Sequence, residues 1–300
     1  MPSPSLPAAA EVSLPLADWY RGAARDLPWR RQRFHEDFGA WGTLVSEFML
    51  QQTPVNRVIP HLEAWLDRWP TPSAMTAATT AEVLQQWANL GYPRRALWLH
   101  RAAVEITERH GGIVPNDVDA LLKLSGIGDY TARAVAVFAY GDRHPVVDTN
   151  TRRVMARAIL GQAQPGPPSR RDLELMDSLL PADVVDSAVF NAAAMELGAT
   201  VCTARSPRCD VCPLVGVCAW VAAGRPDTGD TRRRQATFEG SDRQTRGAVL
   251  RILRDAAPDP VLIDSVLAEW PDPLQRDRAI DSLIADGLAE ADGEMLSLPR

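Results

Sequence analysis

Lysine is almost missing from this 300-residue sequence: Lys123 is the only lysine among 32 basic residues, and the others are arginine. A reaction that needs a lysine nucleophile therefore has one candidate. Long apolar runs are missing too, because the longest, 134–140, is far too short to span a bilayer. The start has no cationic segment followed by an apolar one, so we expect no secretory signal, no membrane association and a cytoplasmic location.

Cysteine is absent outside one 17-residue stretch, where the spacing is C-x6-C-x2-C-x5-C. A disulfide framework would spread its cysteines along the chain, so a metal site is the better interpretation. Four thiolates this close suit either tetrahedral zinc or an iron–sulfur cluster. The single C-x2-C pair favours the cluster, but composition alone leaves both open. The candidate ligands are Cys202, Cys209, Cys212 and Cys218.

Strand signals are also nearly absent, whereas apolar residues recur at three-to-four spacing through most of the chain. The pattern predicts an all-α fold, in which tryptophans such as Trp65, Trp87 and Trp98 fill the core. Helices are predicted at about 14–26, 41–52, 55–68, 80–90, 94–110, 117–123, 129–140, 150–160, 170–180 and 184–199.

Composition divides the chain into four segments, which are a disordered N-terminus at 1–15, a main domain at 16–223, a linker at 224–240 and a small domain at 241–300. In the small domain we expect helices at 243–255, 260–268 and 273–286, then a hairpin at 288–298. This order suggests a winged-helix-like module.

The net charge of −6 is unusual for a protein that binds nucleic acid. Residues 225–300 hold 11 basic and 15 acidic residues, hence −4 of that charge, and the remainder is near neutral. The main domain can therefore present a basic face, whereas the acidity of the small domain suits partner binding or packing about as well as DNA contact.

The segment LSGIGDYTA, at 124–132, lies between two predicted helices. Gly126 and Gly128 allow a tight turn whose N–H groups, with the start of the next helix, can hold a phosphate oxygen. A helix–hairpin–helix of this kind binds the DNA backbone without reading sequence. An ordinary connector between helices is the alternative.

Two acids have unusual positions. Asp148 follows an apolar pair and precedes a predicted helix, so it is either a helix cap or part of a site. Glu47 lies in a markedly apolar helix, where an acid costs free energy unless it is paired or functional. Apolar surroundings raise the pKa of a carboxyl group, so the pair suits a general acid and an ionised charge stabiliser, as cleavage of an N-glycosidic bond requires.

Together these motifs resemble the endonuclease III-like helix–hairpin–helix DNA glycosylases, and within them the MutY-type adenine DNA glycosylases. The resemblance runs from about residue 16 to residue 218. It rests, in order, on LPWR at 27–30, SEFMLQQT at 46–53, LGYPRRA at 90–96, LSGIGDYTA at 124–132, VDTNTRRV at 147–154 and the cysteine loop. It implies a bilobed fold and a [4Fe–4S] cluster rather than zinc.

The resemblance also implies residue roles. Glu47 would protonate adenine, and Asp148 would stabilise the sugar cation or form a transient covalent bond, with Tyr130 and Asn150 in support.

Other residues would bind DNA. Gln52 and Tyr92 match positions that wedge into the duplex while adenine is flipped out, Trp29 and Arg30 match the pocket wall, and the pair Gln51-Gln52 favours adenine. The expected partner is double-stranded DNA with a mispaired adenine, bound by a monomer at the nucleoid.

Relatives that also cleave the strand have a lysine where this chain has Tyr130, and Lys123 belongs to the preceding predicted helix. We therefore expect base removal without strand cleavage.

Three departures from the family pattern stand out. Ala192 occupies a position where many relatives have Gln or Glu that contacts adenine. Ser125 replaces the usual hairpin proline, which we expect to loosen the turn. The helical residues after 225 cannot form the usual MutT-like domain.

Two other functions are compatible with these motifs. One is a mismatch thymine or uracil glycosylase of the same superfamily, and the other is a non-catalytic iron–sulfur protein that binds DNA.

Overall fold

The computed structural model describes residues 7–226 and 237–300. Most of the predicted linker, 227–236, and residues 1–6 of the predicted disordered N-terminus lie outside the described residues. The α-helices are α1 (Ala9–Ala23), α2 (Gln32–Leu50), α3 (Val55–Arg68), α4 (Pro72–Thr76), α5 (Thr80–Trp87), α6 (Arg94–His110), α7 (Val118–Leu121), α8 (Asp129–Tyr140), α9 (Thr149–Ala158), α10 (Arg170–Leu179), α11 (Val184–Thr200), α12 (Ala219–Ala222), α13 (Asp242–Ala256) and α14 (Pro273–Ala285). The strands are β1 (Val261–Leu262), β2 (Glu290–Asp292) and β3 (Met295–Ser297).

The chain forms two compact units. The first comprises the described residues of Met1–Arg31, Asn116–Asp119 and Gly128–Arg232, and the second comprises those of Gln32–Pro115, Ala120–Ile127 and Arg233–Arg300.

The first unit is built around α11, which packs against α1 and α9. Along α11 the sequence is apolar on nearly every side, as expected of a helix surrounded by others, and Phe190, Ala193 and Leu197 are buried. This arrangement places the start of α9 beside Gly198, in the last turn of α11.

The second unit has an aromatic core. Trp65 meets Trp69 and Trp87 edge to face, with ring centroids 4.8 and 5.6 Å apart. Burial of these rings confirms the core role predicted for Trp65 and Trp87. Trp98, in contrast, is 37% exposed, with the Arg94 guanidinium 5.3 Å from its ring centroid. Its predicted burial is therefore wrong.

Near the N-terminus, one prediction needs correction and one helical segment was not predicted. Disorder through residue 15 is wrong for 9–15, because α1 begins at Ala9: alanines favour helix, Glu11 accepts a hydrogen bond from the Ala8 N–H at 2.8 Å, and Val12 is fully buried. α2 consists of two helical segments separated by Gly39, whose φ of +51° is not helical. The second segment matches the helix predicted at about 41–52, and the first, which begins at Gln32, was not predicted.

In the small C-terminal module, α13 and α14 match predicted helices, and β2 and β3 form the predicted hairpin. The helix predicted at 260–268 is wrong: β1 pairs with β3, and Ile263–Ser265 forms a 3-10 turn. The sheet is antiparallel in the order β1-β3-β2. Leu296, buried in the middle of β3, pairs with Val261 on one side and Ala291 on the other.

Asp286 attaches this module to the rest of the second unit. It accepts hydrogen bonds from Arg94 on α6, at 3.2 Å, and from Arg246 on α13, at 2.6 Å. Within the described ranges, no helix is long and apolar enough to cross a membrane.

Candidate active site

Asp148 is the N-cap of α9. Its Oδ1 accepts a hydrogen bond from the Thr151 N–H at 2.6 Å, and its Oδ2 accepts one from the Asn150 side-chain amide at 2.9 Å. The positive end of the helix dipole favours a negative charge here. The capping role left open by the sequence is therefore real, and the two hydrogen bonds fix the orientation of the carboxylate.

Asn150 is itself held by Arg153. The Arg153 Nη2 donates to the Asn150 Oδ1 at 2.7 Å and to the Gly198 carbonyl at 2.6 Å, while its Nε donates to the Cys202 carbonyl at 2.7 Å. A Cβ at Gly198 would lie 2.7 Å from the Asn150 Cβ, so only glycine lets α11 approach so closely. Arg153 and Gly198 were not predicted from the sequence, although residues spaced i, i+3 on a helix, such as Asn150 and Arg153, are neighbours.

The four cysteines line one cavity. None is in a disulfide, and burial raises the pKa of the Cys212 thiol to about 11. Iron binding must therefore displace a proton from this thiol, since the ligand is the thiolate. A cavity shared by four thiols suits a multi-atom cluster.

Arg157 is a positively charged residue that lines this cavity. Its Nη1 lies 3.4 Å from the Cys202 Sγ and donates to the Thr203 carbonyl at 2.8 Å, and its guanidinium lies 4.8 Å from the centroid of the Trp220 ring. A buried guanidinium beside four sulfurs fits a cofactor whose thiolate ligands are negative. The set of residues is thus chemically suited to an iron–sulfur cluster.

The segment with Trp29 and Arg30 is fixed by a buried acid. Glu196, on α11, accepts hydrogen bonds from the Arg25 Nε at 2.7 Å and from the Arg30 Nη2 at 2.9 Å, and its side chain has no exposed surface. Trp29 belongs to the 3-10 turn Pro28–Arg30 and is half-buried. Glu196 and Arg25 were missed because nothing in the local sequence shows that they meet.

In the second unit, Glu47 lies on α2 and is 5% exposed. The flanking side chains of Leu44, Phe48 and Met49 are fully buried. The apolar helix predicted around this acid is therefore present.

The two predicted wedge residues share an uncommon backbone conformation. Gln52 has φ +55° and Tyr92 has φ +49°, values that non-glycine residues rarely adopt and that often mark functional strain. Both are exposed. Gln51, next to them, is partly buried.

Arg95, missed by the sequence analysis, connects the two loops that carry these wedge residues. Its guanidinium donates to the Phe48 carbonyl at 2.8 Å, to the Thr53 Oγ1 at 3.0 Å and to the Gly91 carbonyl at 2.9 Å. Burial lowers its pKa to about 10, so it remains charged at neutral pH. Its place in the motif LGYPRRA was the only sequence signal.

The hairpin has the predicted tight turn. Gly126 has φ +76°, and Gly128 is the N-cap of α8 with no atom within 4 Å of a Cβ built on it. Ser125 is held by Glu105, which accepts from its N–H at 2.8 Å and from its hydroxyl at 2.9 Å. The looser turn expected from serine is therefore wrong, because proline could not donate either bond.

Tyr130 and Lys123 lie on either side of this turn. Tyr130, on α8, packs against Ala134 and Val146. Lys123 is exposed and lies in the turn after α7, beyond the end of the helix to which it was assigned.

The predicted residues are divided between the two units. The first contains Trp29, Arg30, Gly128, Tyr130, Asp148, Asn150 and the four cysteines, and the second contains Glu47, Gln51, Gln52, Tyr92 and Gly126.

The chain is similar to known base excision DNA repair proteins. Residues 45–176 match the family described as HhH-GPD superfamily base excision DNA repair protein, and residues 202–218 match the iron–sulfur binding domain of endonuclease III. The chain is 56% identical to the adenine DNA glycosylase of Mycolicibacterium smegmatis over 93% of both chains. It is 50% identical to that of Mycobacterium tuberculosis strain H37Rv, over 96% of this chain and 93% of the relative.

Among solved structures, a thermostable thymine-DNA glycosylase superposes with a TM-score of 0.65 at 24% identity, over 72% of this chain and 97% of that one. The predicted all-α helix–hairpin–helix fold is confirmed.

Proposed function

The chain belongs to the adenine DNA glycosylases of the HhH-GPD superfamily, and on that premise we propose that it excises adenine mispaired with 8-oxoguanine or guanine. The observation that carries the proposal is the contrast between its two acids. Glu47 is buried among apolar side chains, whereas Asp148 is held by hydrogen bonds at a helix N-terminus. Opposite environments of this kind separate an acid from a charge stabiliser.

Glu47 donates its proton to a ring nitrogen of adenine. The C1′–N9 bond then breaks, its electron pair leaves with the neutral base, and positive charge develops on the sugar. Asp148 stabilises that charge, after which water attacks C1′ and loses a proton. The products are free adenine and an abasic site.

Supporting residues hold the stabiliser in place. Asn150 keeps one Asp148 oxygen in a hydrogen bond, and Arg153 keeps Asn150 from rotating. Tyr130, near the start of α8, supports Asp148 in stabilising the sugar cation.

Adenine must be flipped out of the duplex to be cleaved, and the remaining residues support this step. Gln52 and Tyr92 enter the space that adenine vacates, with Gln51 beside them. Trp29 and Arg30 line the pocket wall, and the turn with Gly126 and Gly128 holds a backbone phosphate through its N–H groups.

The iron–sulfur cofactor predicted from the family resemblance is confirmed by the match of residues 202–218, and zinc is rejected. Cys202, Cys209, Cys212 and Cys218 would hold the [4Fe–4S] cluster. When bound, it would cross-link the loop rigidly, and Arg157, whose Nη1 lies 3.4 Å from the Cys202 Sγ, would supply a compensating charge.

Strand cleavage is not part of this function. Tyr130 occupies the position of the lyase lysine, and Lys123 is exposed in a separate turn. We assign a monomer that works at the nucleoid, with the acidic C-terminal module free to bind a protein partner.

A panel of duplexes tests the proposal. Duplexes with A opposite 8-oxoguanine, A:G, T:G and U:G are incubated with the protein and then analysed with and without alkali. We expect strand breaks in the adenine strand of the first two, and only after alkali. Breaks confined to T:G or U:G would identify a mismatch thymine or uracil glycosylase, and breaks without alkali would reveal a lyase.

A further inference from the structure

Glu105 is an acid attached to the DNA-binding turn. Its two oxygens accept separate hydrogen bonds from the Ser125 N–H, at 2.8 Å, and from the Ser125 hydroxyl, at 2.9 Å. Its side chain is only 14% exposed, and the nearest basic group, Arg109, is 4.0 Å away. Ser125 is thus the main partner of a largely buried carboxylate.

α6 supports the turn at a second point, two helical turns before Glu105. A Cβ at Gly126 would lie 2.6 Å from the Cβ of Trp98 and 3.0 Å from the Phe48 ring. Trp98 and Glu105 are seven residues apart and so project from the same face of α6. One helix face therefore fixes two successive residues of the turn.

We infer that Glu105 is a positioning residue for DNA binding, which holds the Ser125–Gly126 turn so that the following N–H groups meet a phosphate. The inference rests on the proposed role of the hairpin. Gly128, two residues on, is open to such an approach, since nothing lies within 4 Å of a Cβ built on it.

If Glu105 acted only through its charge, its removal would change the affinity for DNA in the opposite direction. DNA is a polyanion, so removing an acid from a DNA-binding surface strengthens binding. If Glu105 instead positions the turn, its removal weakens DNA binding, because the turn loses two charge-assisted hydrogen bonds. The direction of the change in affinity therefore separates the two explanations.

The test compares Glu105→Ala with Glu108→Ala, which removes an exposed acid from the same helix. The dissociation constant for an undamaged duplex is measured by fluorescence anisotropy at several salt concentrations. We expect Glu105→Ala to weaken binding about tenfold, the loss typical of hydrogen bonds to a charged group. Glu108→Ala should bind as well as the wild type or better. Equal or tighter binding by Glu105→Ala would overturn the inference.

Two further variants exclude a general loss of structure. Glu105→Gln has the same charge as Glu105→Ala but keeps an oxygen that accepts from Ser125, so it should recover most of the affinity. Ser125→Ala removes only the hydroxyl bond and should weaken binding by about twofold to threefold. If Glu105→Ala does not fold, the duplex affinities of these two variants are the test. Wild-type affinity in Glu105→Gln together with weaker binding in Ser125→Ala supports the inference. Unchanged affinity in Ser125→Ala overturns it.

Gly128→Ala separates this inference from the hairpin assignment. The added methyl meets no protein atom and is compatible with φ −99°, so only a ligand against the backbone should detect it. Weaker binding in Gly128→Ala with unchanged binding in Glu105→Ala overturns the positioning role alone. Unchanged binding in Gly128→Ala overturns the hairpin assignment and the inference with it.

Discussion

At the scale of single residues, the hairpin shows how two glycines of one motif meet different demands. Gly126 adopts φ +76° and would bring a Cβ within 2.6 Å of Trp98, whereas Gly128 has an ordinary φ and open surroundings. Folding therefore requires glycine at position 126. Glycine at position 128 is required only if a ligand approaches the backbone.

We therefore predict that Gly126→Ala lowers the melting temperature, because a side chain at positive φ and a steric clash together cost about 2–4 kcal/mol. Gly128→Ala should melt at the wild-type temperature or slightly above it. Thermal unfolding of both variants, followed by circular dichroism, is the measurement. Equal melting temperatures for the two variants would contradict this account of the turn.

The sequence predicted the residues in local motifs and missed their tertiary partners. Asp148 and Glu47 were found because each has neighbours in sequence that make it unusual. Glu105 was not, since it contacts Ser125 only through folding, 20 residues away in sequence. Arg95 was not predicted for the same reason, because its five hydrogen bonds, mainly to backbone carbonyls, form only in the folded chain.

At the scale of elements, α11 connects the predicted pocket wall to the core of the first unit through Glu196. Burial raises the pKa of this carboxyl group, but hydrogen bonds and charge from Arg25 and Arg30 outweigh burial and hold the pKa below its ordinary value. A lowered pKa means that the ion pairs stabilise the fold above the ordinary carboxyl pKa. That contribution is lost as the pH falls through the lowered value.

Glu196→Gln should therefore reduce the free energy of unfolding at pH 7 by about 1–2 kcal/mol, a modest cost because both arginines are partly exposed. The difference from the wild type should shrink as the pH falls below the ordinary carboxyl pKa and through the lowered pKa of Glu196. Thermal unfolding from pH 3 to 8 measures both effects. Asp18→Asn, which breaks an exposed pair with Arg21 on α1, is the matched control and should change little. A difference that grows on acidification would contradict the account.

Element boundaries were predictable where periodicity and caps agree. α3, α6 and α8 begin within a residue of their predicted starts, and the last two end at glycines in the left-handed conformation. The wrong prediction at 260–268 has a physical cause: β1 has only two residues and forms because β3 pairs with it. A strand this short leaves no period-2 signal.

At the scale of the whole molecule, the two acids come from different units, Glu47 from the second and Asp148 from the first. Each acid could be predicted from its own segment. The choice between zinc and a cluster could not, because four thiolates suit both and spacing only favours one. That choice came from the match of residues 202–218 to a known iron–sulfur domain.

The central claim is that Glu47 supplies the proton that releases adenine, and its replacement by glutamine tests the claim most directly. Glu47→Gln keeps the shape and removes the proton, while Glu63→Gln makes the same change at an exposed position on α3. Both are compared with the wild type on a duplex with A opposite 8-oxoguanine, by single-turnover base release and by duplex affinity. We expect Glu47→Gln to release adenine about 10²- to 10⁴-fold more slowly and to bind the duplex like the wild type. Glu63→Gln should match the wild type in both measurements. Adenine release by Glu47→Gln at the wild-type rate would contradict the central claim.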